Sequence, residues 1–128
     1  MNALLDTHIF LWYLQGNPFL SDALRDAIES EENTLYFSII SLWEIAIKLR
    51  INKLDLQRPF SALQEELKEL KISTLPVSFA DAEIYLTLPL HHRDPFDRII
   101  IAQAIHHKLS LISRDAVLDA YPVQRLWL

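Results

Sequence analysis

Short apolar runs alternate with stretches of helical periodicity along this chain, and that alternation narrows the possible folds more than any other feature. Residues 3–5, 35–38, 72–75, 109–113 and 124–127 read as short strands. Between them, apolar residues at helical spacing mark helices over residues 7–14, 22–29, 41–49, 59–70, 79–86 and 94–107, with a last short helix over 116–120. Strands that alternate with helices build a parallel sheet sandwiched between helical layers, a three-layer α/β/α domain. The strands are short and apolar, as expected when both faces are covered. At 128 residues the chain has the length of one domain, and its 51% hydrophobic content supplies one core. Residues 1–128 therefore read as a single domain.

Composition removes several function classes. Gly16 is the only glycine, which excludes the glycine-rich loops that cradle phosphates and dinucleotides. Without cysteine there is neither a disulfide framework nor a thiolate metal site, which fits a reducing cytoplasm. The opening MNALLDTHIFLWYLQG lacks the basic start and small-residue cleavage site of a secretory signal. No apolar run approaches the roughly 18 to 20 residues a membrane span needs. The expectation is a soluble cytoplasmic protein without membrane contact. A net charge of -5 argues against a protein that coats nucleic acid. Acids gathered around a cation would lower the net charge too, so a nucleic-acid enzyme stays open.

In parallel sheets, ligands bind beyond the carboxyl ends of the strands. Asp6 directly follows the apolar Ala-Leu-Leu, and Asp115 lies just past Leu-Ser-Leu-Ile-Ser, so both are expected on one rim. Glu44 in Ser-Leu-Trp-Glu and Asp97 in Asp-Pro-Phe-Asp each read as lying in a first helical turn. There the backbone N–H groups and the helix dipole favour negative charge. Four acids drawn from distant stretches suit a hard ion such as Mg²⁺ or Mn²⁺. Such an ion polarises a phosphodiester and activates water. Each acid also has a local reading. Ser41-x-x-Glu44 matches a capping box, and Asp94-Pro95-x-Asp97 matches helix-start grammar. Asp6 and Asp115 can each cap the helix that follows. Spacing alone leaves both readings open and names no substrate.

The segments LLDTHIFLW, SLWEIAIK, HHRDPFDRIIIAQA and LISRD occur in that order over residues 3–115. Together they resemble the PIN-domain family, in particular the VapC-type toxins of bacterial toxin–antitoxin pairs. The resemblance implies a three-layer fold, Mg²⁺ or Mn²⁺ held by acidic side chains, and hydrolysis of RNA. It also implies a cognate antitoxin and a homodimer. Carried over one position at a time, the family's acids fall on Asp6, Glu44, Asp97 and Asp115. Asp94 reads first as a helix cap, with contact to the metal or its water shell as the second reading. Thr7, Ser41 and Ser113 read as local caps or as donors to a carboxylate or a metal-bound water.

The remaining polar residues are weighed beside these. Arg98 reads as the partner of a carboxylate, and Arg114 as such a partner or a phosphate contact. Lys48 is an i,i+4 partner of Glu44 or a phosphate contact. His91 and His92, in a polar loop, read first as solvent-exposed and second as a metal ligand or general acid, and His106 and His107 read as favourable charge at a helix end. Trp12 reads as packing. The apolar surplus over residues 19–49 marks a candidate groove for a second copy or an antitoxin. Rival readings are a housekeeping RNA-processing nuclease of the same fold and a binding module that has lost catalysis. A haloacid-dehalogenase-type phosphatase would need a second aspartate where this chain has His8.

Overall fold

The computed structural model describes residues 1–128. The chain runs β1 (Asn2–Leu5), α1 (Thr7–Gln15), α2 (Asp22–Glu29), β2 (Thr34–Ser38), α3 (Ile39–Arg50), α4 (Ala62–Glu69), β3 (Ser73–Leu75), α5 (Phe79–Thr87), α6 (Pro95–His107) and β4 (Ser110–Ile112), then a 3₁₀ turn (Ala116–Ala120) and β5 (Arg125–Leu126). All strands pair in parallel in the order β3-β2-β1-β4-β5. This is the three-layer α/β/α architecture expected from the alternation of elements.

Successive strand residues point to opposite faces, and β1 divides its side chains accordingly. Ala3 and Leu5 enter one core with Leu35, Phe37 and Ile112, covered by Phe10, Leu24, Ile45 and Leu63 of α1 to α4. Leu4 enters the other with Leu111, covered by Ile100, Ile101 and Ala104 of α6 and closed by Leu118 and Tyr121. The strand order turns back on itself at β1: the chain builds outward through β2 and β3, then crosses to the other side for β4 and β5. A crevice at the carboxyl ends of β1 and β4 follows from that reversal.

Element ends depart from the sequence reading in instructive ways. β2 runs into α3 without a loop, so Ser38 becomes the cap, its Oγ accepting from the Ile40 N–H at 3.1 Å. The capping box expected between Ser41 and Glu44 is therefore not formed. Both residues lie inside the helix, and Glu44 falls beyond its first turn. Residues 59–61 form a turn ahead of α4 rather than its first residues. Gly16 ends α1 at φ 63°, the left-handed geometry that glycine adopts without steric cost. No helix is long and apolar enough to cross a membrane.

Phe10 and Phe37 meet at the centre of the larger core, fully buried, with ring centroids 4.9 Å apart. Phe37→Ala is expected to cost about 3–5 kcal/mol, as large-to-small changes of buried aromatics do. Urea denaturation checks this; a loss below about 1 kcal/mol would show that the site collapses around the deletion.

Candidate metal centre

The four acids reach the crevice by different routes. β1 ends at Leu5, and the Asp6 N–H continues the ladder to β4 by donating to the Ile112 carbonyl at 2.9 Å. Asp6 Oδ1 accepts from the Thr7 N–H at 2.8 Å and Oδ2 accepts from the Ser113 hydroxyl at 2.6 Å. The cap reading and the site reading of Asp6 are thus compatible: one buried carboxylate opens α1 and lines the rim. Glu44 is also buried. Thr7 Oγ1 stands 2.9 Å from Glu44 Oε1 and 2.8 Å from Ser41 Oγ, so one hydroxyl links α1 to α3 beneath the site. Lys48 donates to Glu44 Oε2 at 2.7 Å, realising the i,i+4 pair, and this bond holds the lysine pKa above its usual value.

Asp97 and Asp115 come from the other side. Asp94 caps α6, accepting from the N–H groups of Phe96 at 2.8 Å and Asp97 at 3.3 Å, with Pro95 in the first turn. That grammar delivers Asp97 in the first turn, where the dipole favours it. Asp115 caps the 3₁₀ turn by accepting from the Val117 N–H at 3.0 Å, and its own N–H donates to Ser113 Oγ at 3.1 Å.

The Asp97 carboxyl is pushed up to about 8, first by burial and then by the charges of Asp6, Asp94, Glu44 and Asp115. The donors are carboxylate oxygens backed by hydroxyls and N–H groups, a set that suits a hard divalent ion. The residues present fit Mg²⁺ or Mn²⁺.

His92 departs from the sequence reading. Its side chain is only 15% exposed, and Nε2 lies 2.8 Å from Asp115 Oδ2 and 3.1 Å from Asp97 Oδ2. Arg98 corrects another expectation: it pairs with no carboxylate, and its guanidinium donates instead to the carbonyls of Leu88, Pro89 and His92. As residue 98 it follows Asp97 on α6 but points away from the acids, because consecutive helical side chains diverge by about 100°. Arg114 meets neither a carboxylate nor open solvent alone; its guanidinium lies 4.5 Å from the centroid of the Phe19 ring. At the far end of α6, His106 Nδ1 lies 2.7 Å from Oδ1 of the buried Asp81, a pairing not read from the sequence. The spacing Ser78-x-x-Asp81, a capping box, was the available signal for that aspartate. Trp12 packs as expected, edge-on to Phe19 and Trp127.

A PIN-domain family model matches residues 3–124. The chain belongs to the PIN domain family. Across 120 residues it is 30% identical to Ribonuclease VapC22 of Mycobacterium tuberculosis, an alignment covering 93% of this chain and 91% of that protein. Among solved structures, a chain of the VapBC2 complex of Rickettsia felis superposes with a TM-score of 0.77 at 20% identity, covering 100% of both chains. A chain of FitAcB from Neisseria gonorrhoeae gives 0.67 at 24%, covering 99% of this chain and 97% of that one. A chain of a toxin–antitoxin complex from Klebsiella pneumoniae gives 0.66 at 22%, covering 98% and 96%. At these identities the structures show a shared fold.

The raised Asp97 pKa has a signed consequence for this PIN domain. The folded chain holds that proton more tightly than the unfolded chain, whose group titrates near 3.8. The stabilisation is complete below that value and is lost as pH climbs through about 8. In chelator, Asp97→Asn is therefore expected to become progressively more stable than wild type as pH rises across this window. Adding Mg²⁺ or Mn²⁺ should close the gap from the wild-type side. Thermal melts of both proteins check this, and a gap that ignores pH would contradict the clustering of charge.

Proposed function

We propose that this chain is a metal-dependent endoribonuclease of the toxin type, with Asp6, Glu44, Asp97 and Asp115 holding Mg²⁺ or Mn²⁺. The observation that carries the reading is the approach of carboxylates from four separate segments: Thr7 bonds both Asp6 and Glu44, Asp6 and Asp97 line one small cavity, and oxygens of Asp97 and Asp115 lie within 4.8 Å of each other. Such a concentration of like charge opposes folding unless a cation compensates it. A divalent ion at this rim would supply positive charge to a phosphodiester and lower the pKa of nearby water.

The chain's own residues supply orientation. Ser113 and the Thr7 N–H hold both oxygens of Asp6, while Thr7 Oγ1 and Lys48 hold those of Glu44. Each carboxylate oxygen so bonded keeps a further lone pair for an ion. The acids also control access: their negative field repels a polyanion until the cation reverses it. RNA as the substrate is supported by the similarity to a ribonuclease, and an antitoxin partner by the toxin–antitoxin complexes that share the fold. A groove of about 600 Å³ between α3 and α4, lined by Ile39, Leu42, Phe60, Leu63 and Leu67, suits an amphipathic helix of that partner. On this reading residues 1–128 form one nuclease domain, homodimeric and cytoplasmic.

Purified full-length chain with Mn²⁺ is expected to cut members of a panel of transfer, ribosomal and messenger RNA fragments. Asp97→Asn should reduce cleavage at least on the order of 100-fold, since losing even an outer partner of a metal ligand costs about 10- to 100-fold. Chelator should stop the reaction and excess Mg²⁺ should restore it, followed by gel electrophoresis. Equal cutting by wild type and Asp97→Asn would point to a contaminating nuclease and sink the assignment of the site. An intact panel would favour a non-catalytic module.

A further inference from the structure

The segment between α5 and α6 is tied down at several points, and the ties converge on His92. Buried Arg98 donates from Nη1 to the carbonyls of Pro89 at 2.9 Å and His92 at 3.3 Å, and from Nη2 to that of Leu88 at 3.2 Å. The Tyr121 hydroxyl donates to the Pro89 carbonyl at 2.8 Å and accepts from the His92 N–H at 2.8 Å. With its backbone held in this way, His92 places Nε2 between one oxygen of Asp115 and one of Asp97. On the other side of the ring, Nδ1 accepts from the Asp94 N–H at 3.2 Å.

We propose that His92 is a positioning residue of the metal centre: its Nε2–H donates to Asp115 Oδ2 while standing 3.1 Å from Asp97 Oδ2, and so sets the spacing at which these carboxylates meet a divalent ion. The inference rests on the metal-dependent reading above. A metal ligand must be ionised, and once Asp97 loses its proton two carboxylates face each other; an N–H donated to Asp115 and lying 3.1 Å from Asp97 offsets that repulsion while leaving other lone pairs for the ion.

The ring's tautomer separates this role from direct ligation. Nε2 and the two carboxylate oxygens all lie within 4.8 Å of one another, so proximity alone would also admit a nitrogen ligand. A backbone N–H directed at Nδ1 requires a lone pair there, which puts the ring proton on Nε2. A protonated nitrogen has no lone pair to offer a metal. His92 therefore acts through the aspartates, in the way that outer donors commonly orient metal-binding carboxylates.

The test is a set of Mn²⁺ binding titrations by calorimetry on the full chain, comparing wild type with His92→Ala, His92→Gln and Asp97→Asn. Thermal melts accompany each variant. Nitrogen-15 NMR of the His92 ring is recorded before and after Mg²⁺. His92→Ala is expected to bind Mn²⁺ roughly 10- to 100-fold more weakly, the usual effect of losing an outer partner. His92→Gln, whose amide N–H can donate, should recover part of that loss, and it carries the test if the alanine variant does not fold. The ring should keep its proton on Nε2 in both states. Binding by His92→Ala as tight as wild type or tighter would overturn the proposal. So would a ring whose Nε2 loses its proton to Mg²⁺, which would make His92 a ligand. Wild type that binds no Mn²⁺, or Asp97→Asn that binds it equally well, would remove the metal centre and this role together. Loss in Asp97→Asn with no loss in His92→Ala would remove the role of His92 alone.

Discussion

Two parallel strands lying side by side deliver whatever follows them to the same rim, and here an acid follows each. β1 and β4 are hydrogen-bonded neighbours, so Asp6 and Asp115 leave the sheet together. α6 adds Asp97 with its cap Asp94, and α3 adds Glu44. In an effective dielectric of about 20, each like-charge pair near 4 Å costs on the order of 4 kcal/mol. The local compensations are modest by comparison: one lysine, two hydroxyls, a few N–H groups and a helix terminus. Burial first, and the neighbouring acids second, let Asp97 keep its proton well above the ordinary carboxylate range. Much of the surrounding architecture can be understood as arrangements that make this crowding tolerable.

The sheet and its rim were legible in the sequence because each depends on short-range pattern. Apolar Ala3, Leu4 and Leu5 ending at Asp6 specify a buried strand and what leaves it, and Asp94-Pro95 specifies where α6 begins. The placement of Glu44 was less legible. Ser41 looked like a cap, but Ser38 ends β2 and takes that role one turn earlier. The glutamate therefore lies deeper in α3, and its charge is met by Lys48 and Thr7 rather than by the helix dipole. The local support of Glu44 thus differs from the one read in the sequence.

His92 and Arg98 were the illegible part. His92 sits in no periodic pattern, and although Arg98 lies in the periodic α6, each acquires its role only when residues 88–94 fold back between α6 and the 3₁₀ turn. A histidine in a polar loop has no short-range feature that separates exposure from burial against two acids. Arg98 looked like the counter-ion of its neighbour Asp97. Helical geometry instead turns it toward the carbonyls of Leu88, Pro89 and His92, a placement visible only once the chain's path is known. Caps were the opposite case: Asp6, Asp94 and Asp115 each serve a local turn and the shared rim, so the modest reading and the functional one coincide.

The hydrogen bond between Ser113 and Asp6 joins residues 107 positions apart. Closing so large a loop is entropically costly and slow compared with forming local helix contacts. A ribosome making this polypeptide would release the first acid long before the strand that completes its surroundings. The rim of acids is thus completed last, by the meeting of early and late segments, and a fragment halted midway through translation carries only scattered acidic side chains.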